Sequence, residues 1–239
     1  MTRMDGSATA AGLVVELIEP LDPFVRSLLA RELDGMARVL SQWGHFRRPV
    51  RVATVHSQAE LRAAAACPTD LQLHAIASLD GLLLLAPQAW SLPPASHAFE
   101  QVVLHELAHV LMFQRCAPED ATTAAYLPTW FREGMAIVAA SGAPRPALRR
   151  SLADHPALDT LPTATDRQMT DDPDACYTAA ALAFQAWMER FGNRKLSALC
   201  QAMRNGHRFG PAHERACGET DGAFLRTWVQ SVRQEGRTA

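Results

Sequence analysis

A five-residue run, His105-Glu106-Leu107-Ala108-His109, constrains this 239-residue chain more than any other feature. It lies inside residues 97–115, where Phe99, Val102, Val103, Leu107, Val110 and Leu111 recur at three- and four-residue spacing. That is the apolar stripe of an amphipathic helix. Ser96, just after Pro93-Pro94, is placed to cap it. Two histidines four residues apart on a helix lie one turn apart on one face, within reach of a shared metal ion, and Glu106 sits beside them. Random order of the chain's own residues would give this pattern roughly 0.02 times per chain, so chance is a poor account of it. The fold therefore has to hold this helix firmly and bring a further ligand up to it.

Zinc with one position open for water needs three protein ligands. A candidate third follows 24 residues after His109, in Pro128-Thr129-Trp130-Phe131-Arg132-Glu133-Gly134-Met135-Ala136. Thr129 can cap a short helix that runs to about Ala140 and stops near Ser141-Gly142, with Glu133 projecting from its first turn. Gly134 costs a helix about 1 kcal/mol relative to Ala, so its presence points to a close backbone approach. Gly134, Ala136, Ala139 and Ala140 would let the segment pack tightly against the His105–His109 helix. Read alone, the same segment is also an ordinary amphipathic helix with an exposed Glu.

Together, HELAH and the downstream WFREGMA resemble the two-motif signature of gluzincin metallopeptidases, and in particular the peptidase MA-like group. Weaker echoes follow in Tyr177-Thr178-Ala179-Ala180-Ala181 leading to Arg190-Phe191-Gly192, in Lys195–Leu199, and in Phe224-Leu225-Arg226-Thr227-Trp228. The resemblance covers about residues 50–232. It implies Zn2+ as cofactor, held by His105, His109 and Glu133. It implies a zincin-like α+β fold, with a small mixed sheet over the HExxH helix and a helical C-terminal lobe. It also favours Tyr177, at the start of a helix, as a hydrogen-bond donor in the site. The chain departs from the pattern after Glu133, where Ile137-Val138-Ala139 stands in place of a frequent acidic residue.

The residues themselves point to the same fold class. Leu13–Ile18 is a short apolar strand candidate, and Asp22-Pro23 starts a helix whose apolar residues keep helical spacing to Trp43. Val50–Val55 alternates like a half-buried strand, and Ser57 caps the helix after it. Leu73–Ala77 and Leu82–Ala86 flank Asp80-Gly81, a hairpin signal. Strands interspersed with helices, followed only by helices, describe an α+β fold. Residues 1–115 form an α/β lobe ending in the HExxH helix, and 116–239 a mainly helical lobe carrying Glu133, the two making one catalytic unit. Gly81–Pro87 is read either as a core strand or as a cleft-bordering strand that could pair with an extended peptide. Tyr177–Arg190 is a helix closed by Gly192, Asn193–Asn205 another closed by Gly206, and Asp221 caps the last.

Composition excludes several partners. A net charge of −2 gives no reason to expect nucleic acid or an anionic membrane. No apolar run approaches the length of a membrane span, and no signal peptide is legible at the N-terminus. Five cysteines without CxxC spacing read as buried reduced thiols, which favours the cytoplasm.

The chemistry expected is hydrolysis of a peptide or protein substrate. Glu106 would accept the proton of a metal-activated water and pass it to the leaving amine. Of two tyrosines, Tyr126 and Tyr177, the second is the candidate donor to the developing oxyanion, although a core tyrosine fits it nearly as well. His207 and His213 are runner-up donors read mainly as surface residues, and His45, His56, His74, His97 and His155 lack ligand spacing. Two other classes remain open: a non-catalytic zinc-binding member of the fold that acts through a partner, and a zinc hydrolase of a non-peptide bond.

Overall fold

The structure, a computed structural model, describes residues 2–5, 12–65, 73–86, 95–118, 127–142, 144, 147–163, 165, 168–169 and 172–237. Two compact units divide the chain, Met1–Arg115 and Cys116–Ala239. The architecture is α+β: a small mixed sheet in the first unit, helices in the second.

In the first unit, strands β1 (Thr2–Asp5), β2 (Val14–Leu17), β3 (Val50–Thr54), β4 (Ala75–Ala77) and β5 (Leu82–Leu85) form one sheet in the order β1-β2-β3-β5-β4. The central pairs are parallel, with Val15 opposite Val50 and Arg51 opposite Leu82. The outer pairs are antiparallel, with Thr2 opposite Leu17 and Ala75 opposite Leu85. Alternation places Val15, Leu17, Val50, Val52, Leu83 and Leu85 in the core. Helix α1 (Pro23–Ser41) begins as its sequence dictates, with Asp22 Oδ1 accepting from Phe24 N at 2.8 Å and Pro23 in the first turn. Ser57 Oγ accepts from Glu60 N at 3.2 Å at the start of α2 (Gln58–Ala65). In the hairpin turn, Gly81 adopts φ 84°, which a side chain disfavours. There the Ser78 hydroxyl bonds to Asp80 and, with Arg51 nearby, holds its carboxyl below the usual range.

Two expectations are corrected in this unit. The strand after Gly81 has no free edge for an extended peptide: β5 is paired on both sides, and β4 stands at that edge of the sheet. Helix α3 (Ala95–Cys116) starts before Ser96, so that residue lies within the first turn instead of capping it. Strand β1, which carries no apolar alternation, has no counterpart in the sequence reading.

Helix α3 buries Phe99, Val103, Leu107, Val110 and Leu111, and Phe24 of α1 meets Phe99 with ring centroids 5.8 Å apart. One buried polar residue fixes the helix further. Gln114 Oε1 accepts from Arg47 N and Arg48 N at 2.7 and 2.9 Å, and its Nε2 donates to Arg48 O at 3.1 Å. The chain entering β3 is thereby tied to the last turns of α3.

The second unit contains α4 (Thr129–Ser141), α5 (Ala147–Leu152), α6 (Ala157–Thr160), a 3-10 turn at Leu161–Thr163, α7 (Pro173–Arg204), α8 (Phe209–Cys217) and α9 (Asp221–Arg237). Pro128, not Thr129, stands at the cap of α4, with no side-chain bond. Thr220, not Asp221, accepts from Ala223 N at the start of α9. Helix α7 is interrupted at Gly192, whose φ of 69° and ψ of 177° are non-helical. It begins at Pro173, with Asp172 Oδ1 accepting from Ala175 N. The close partner of Gly134 is α7, where Ala180 O lies 2.2 Å from the place a Cβ would take. Around this contact Phe131, Phe184, Trp187 and Phe209 pack ring against ring at 5.0–6.3 Å. Among the described residues, no helix is long and apolar enough to cross a membrane.

Candidate metal centre

Helical spacing brings the two histidines of α3 together. His105 Nε2 and His109 Nε2 are 3.1 Å apart, and the rings meet edge-on with centroids 4.6 Å apart. Ligand nitrogens on a tetrahedral ion, each about 2.0–2.1 Å from it, stand about 3.3 Å apart, so this pair has the spacing of two such ligands. His109 is buried, its ring stacked 6.0 Å from Phe113 one turn on, while His105 and Glu106 are half-buried. The apolar face of α3 thus sets the depth at which the imidazoles sit.

On α4, Glu133 is 8% exposed, and Arg132 Nε donates to its Oε1 at 3.0 Å. A carboxylate this deep needs charged or hydrogen-bonding partners. Adjacent helical residues ordinarily diverge, so sequence spacing gave no hint of the Arg132 contact. The first unit thus offers two imidazole nitrogens, on His105 and His109, and the second a buried carboxylate, on Glu133. Two imidazoles and a carboxylate are a donor set that can hold a metal ion, and one suited to zinc.

Tyr177 stands in the first turns of α7, half-buried. It lines an open pocket of about 600 Å³ with Ile137 and Ser141 of α4, Leu148 of α5, and Thr178 and Ala181 of α7. Ile137 is one helical turn beyond Glu133. Tyr126 and His97 lie outside the residues whose side chains are described.

The runner-up donors part company. His207 is exposed, as expected. His213 is not a surface residue: it is fully buried, accepts from Trp187 Nε1 at its Nε2 (2.8 Å) and directs Nδ1 at Glu219 O (2.8 Å). Both ring nitrogens serve the core of the second unit, which removes His213 from the candidate donors. His155 likewise has local work, with Nδ1 accepting from Ala157 N and Nε2 3.2 Å from Asp172.

No family model matches the chain, and no curated protein matches it in sequence. Solved structures do match. An M1 zinc metallopeptidase from Deinococcus radiodurans aligns with a TM-score of 0.50 and 19% identity over 96% of this chain and 50% of its own. A mutant of that enzyme gives 0.50, 19%, 96% and 51%. A mutant two-domain M1 zinc metallopeptidase bound to L-arginine gives 0.50 and 18% over 95% of this chain and 51% of its own. At these identities the likeness is one of fold, and the chain spans about half the length of the structures it matches.

Proposed function

We propose that the chain is a zinc-dependent peptidase of the gluzincin type, with His105, His109 and Glu133 as the protein ligands of the ion. The observation that carries this reading is the pair of imidazoles on α3, whose Nε2 atoms stand 3.1 Å apart at the spacing of two ligands on one ion, with the buried carboxylate of Glu133 on α4 as the third donor. The fold likeness to M1 zinc metallopeptidases supports it. A zinc ion held there would lower the pKa of a water towards about 7 and polarise a carbonyl.

The chain's own residues would do the rest. Glu106, next to His105 on α3, takes the proton of the attacking water and returns it to the leaving amine, so the carboxylate ends the cycle as it began. Tyr177 donates a hydrogen bond to the oxygen that gains charge as the amide carbon becomes tetrahedral. Arg132 holds the rotamer of Glu133 through its 3.0 Å contact. An extended peptide suits the first unit, because β4 stands at an edge of the sheet and can pair with another strand through its backbone.

The test is direct. Purified protein loaded with zinc is incubated with a peptide library, with and without a chelator, and cleavage is read by mass spectrometry. Cleavage that chelator removes and zinc restores is the expected result. Stoichiometric zinc without cleavage of any peptide would overturn the peptidase reading, and cleavage indifferent to chelator would overturn the metal.

A further inference from the structure

Cys116 is the last residue of α3, and Cys200 lies in the arm of α7 beyond Gly192. Both are buried, at 0% and 1% exposure, and their Sγ atoms are 2.9 Å apart. Two sulfurs that close are inside van der Waals contact, and a disulfide, at about 2.05 Å, asks for less than about 1 Å of further approach. Leu196, Leu199 and Met203 of the same arm are buried as well. Among the described residues no third His, Cys, Asp or Glu joins the pair in a ligand group, which leaves a metal no claim on it. The other described cysteines are placed differently. Cys176 Sγ bonds to Gln168 O, and burial pushes the half-buried Cys217 thiol up to about 11.

We propose that Cys116 and Cys200 are a disulfide-forming pair, the site of a covalent cross-link between positions 84 residues apart. The reaction is a thiol–disulfide exchange with a low-molecular-weight disulfide such as glutathione disulfide. One protein thiolate attacks it and releases a small thiol. The second thiolate then attacks the mixed disulfide and releases the other. Two protein thiols are oxidised, one small disulfide is reduced to two thiols, and the two protein protons leave with them. Because both sulfurs are buried, the oxidant meets them while the chain is folding, before the helices close over the pair. The inference rests on neither the metal nor the peptidase reading.

The full chain is refolded from denaturant with and without a glutathione redox buffer, and thiols are then counted under denaturing conditions. The count falls from five in the reduced protein to three in the oxidised one, and peptide mapping finds Cys116 linked to Cys200. The oxidised form melts higher by on the order of 10 °C, the scale expected for closing a loop of this length in a chain of this size. Cys200→Ser loses both the link and the shift, and Cys116→Ala does the same should that variant fold poorly. Folded wild type that keeps five thiols in the redox buffer, or a link joining any other pair, overturns the proposal.

Discussion

Gly134 of α4 lies against the backbone of Ala180 in α7 with no room for a side chain. A Cβ there would stand 2.2 Å from the Ala180 carbonyl oxygen and 2.7 Å from Phe184 Cβ. Two effects of opposite sign act on Gly134→Ala. Helix propensity favours alanine by about 1 kcal/mol, while forcing a methyl into a filled contact costs about 1–3 kcal/mol and more where the obstacle is backbone. The second wins here, because a carbonyl in the middle of a helix cannot turn aside. The variant is expected to lose about 2 kcal/mol in urea unfolding, and stability equal to wild type would mean that α4 and α7 separate freely.

Gln114→Leu keeps the volume of a buried side chain and removes three hydrogen bonds. It leaves Arg47 N, Arg48 N and Arg48 O without their partner. Stranding partly buried backbone groups costs about 2–3 kcal/mol, so urea unfolding should show a loss of that size. A neutral or stabilising outcome would show that water replaces the amide at no cost.

Metal content separates the proposed ligands from their neighbours. The wild-type chain is expected to carry about one zinc, and His105→Ala or His109→Ala to carry almost none, since two ligands hold the ion poorly. Glu133→Gln should bind with weakened affinity, because an amide is a poorer ligand than a carboxylate. Elemental analysis after dialysis against graded chelator measures all three. Full retention in the double His variant would sink the assignment.

Chemistry is separated from binding by two conservative changes. Glu106→Gln should keep zinc and lose peptide cleavage by about 10²-fold or more, as a lost general base does. Tyr177→Phe should keep zinc and KM and lower kcat, if its hydroxyl meets the substrate oxygen only in the transition state. Steady-state kinetics on one cleaved library peptide checks both. Unchanged kcat in Tyr177→Phe would leave that tyrosine a wall of the pocket and nothing more.

What was legible in the sequence is what local chemistry dictates. Asp22-Pro23 announces the start of α1, Asp80-Gly81 the hairpin, and Gly134 a close approach, because each is a backbone demand met by one residue type. The shared face of His105 and His109 follows from helical spacing alone. What was hidden depends on partners far along the chain. Strand β1 owes its conformation to pairing with β2, and the placing of β5 inside the sheet follows from its pairing with both β3 and β4. The contact of Gly134 with Ala180 of α7 does not show in the sequence, since a glycine advertises closeness but not to what. His213 is polar by type, and only the indole of Trp187 and the Glu219 carbonyl make its burial affordable. Arg132, beside Glu133 in the sequence, gave no sign of contacting it.

The break at Gly192 divides α7 into two arms. Trp187 and Leu196 are both fully buried, yet nine residues of unbroken helix at about 100° each would set them about half a turn apart, on opposite sides. The non-helical φ and ψ of Gly192 reset the phase, so each arm turns its own apolar side inward: Ala180, Phe184 and Trp187 before it, Leu196, Leu199 and Met203 after it. A residue able to continue the helix at that position would carry the rotation through and turn one of the two sides towards water. Gly192 thus lets one run of thirty-two residues present two buried faces.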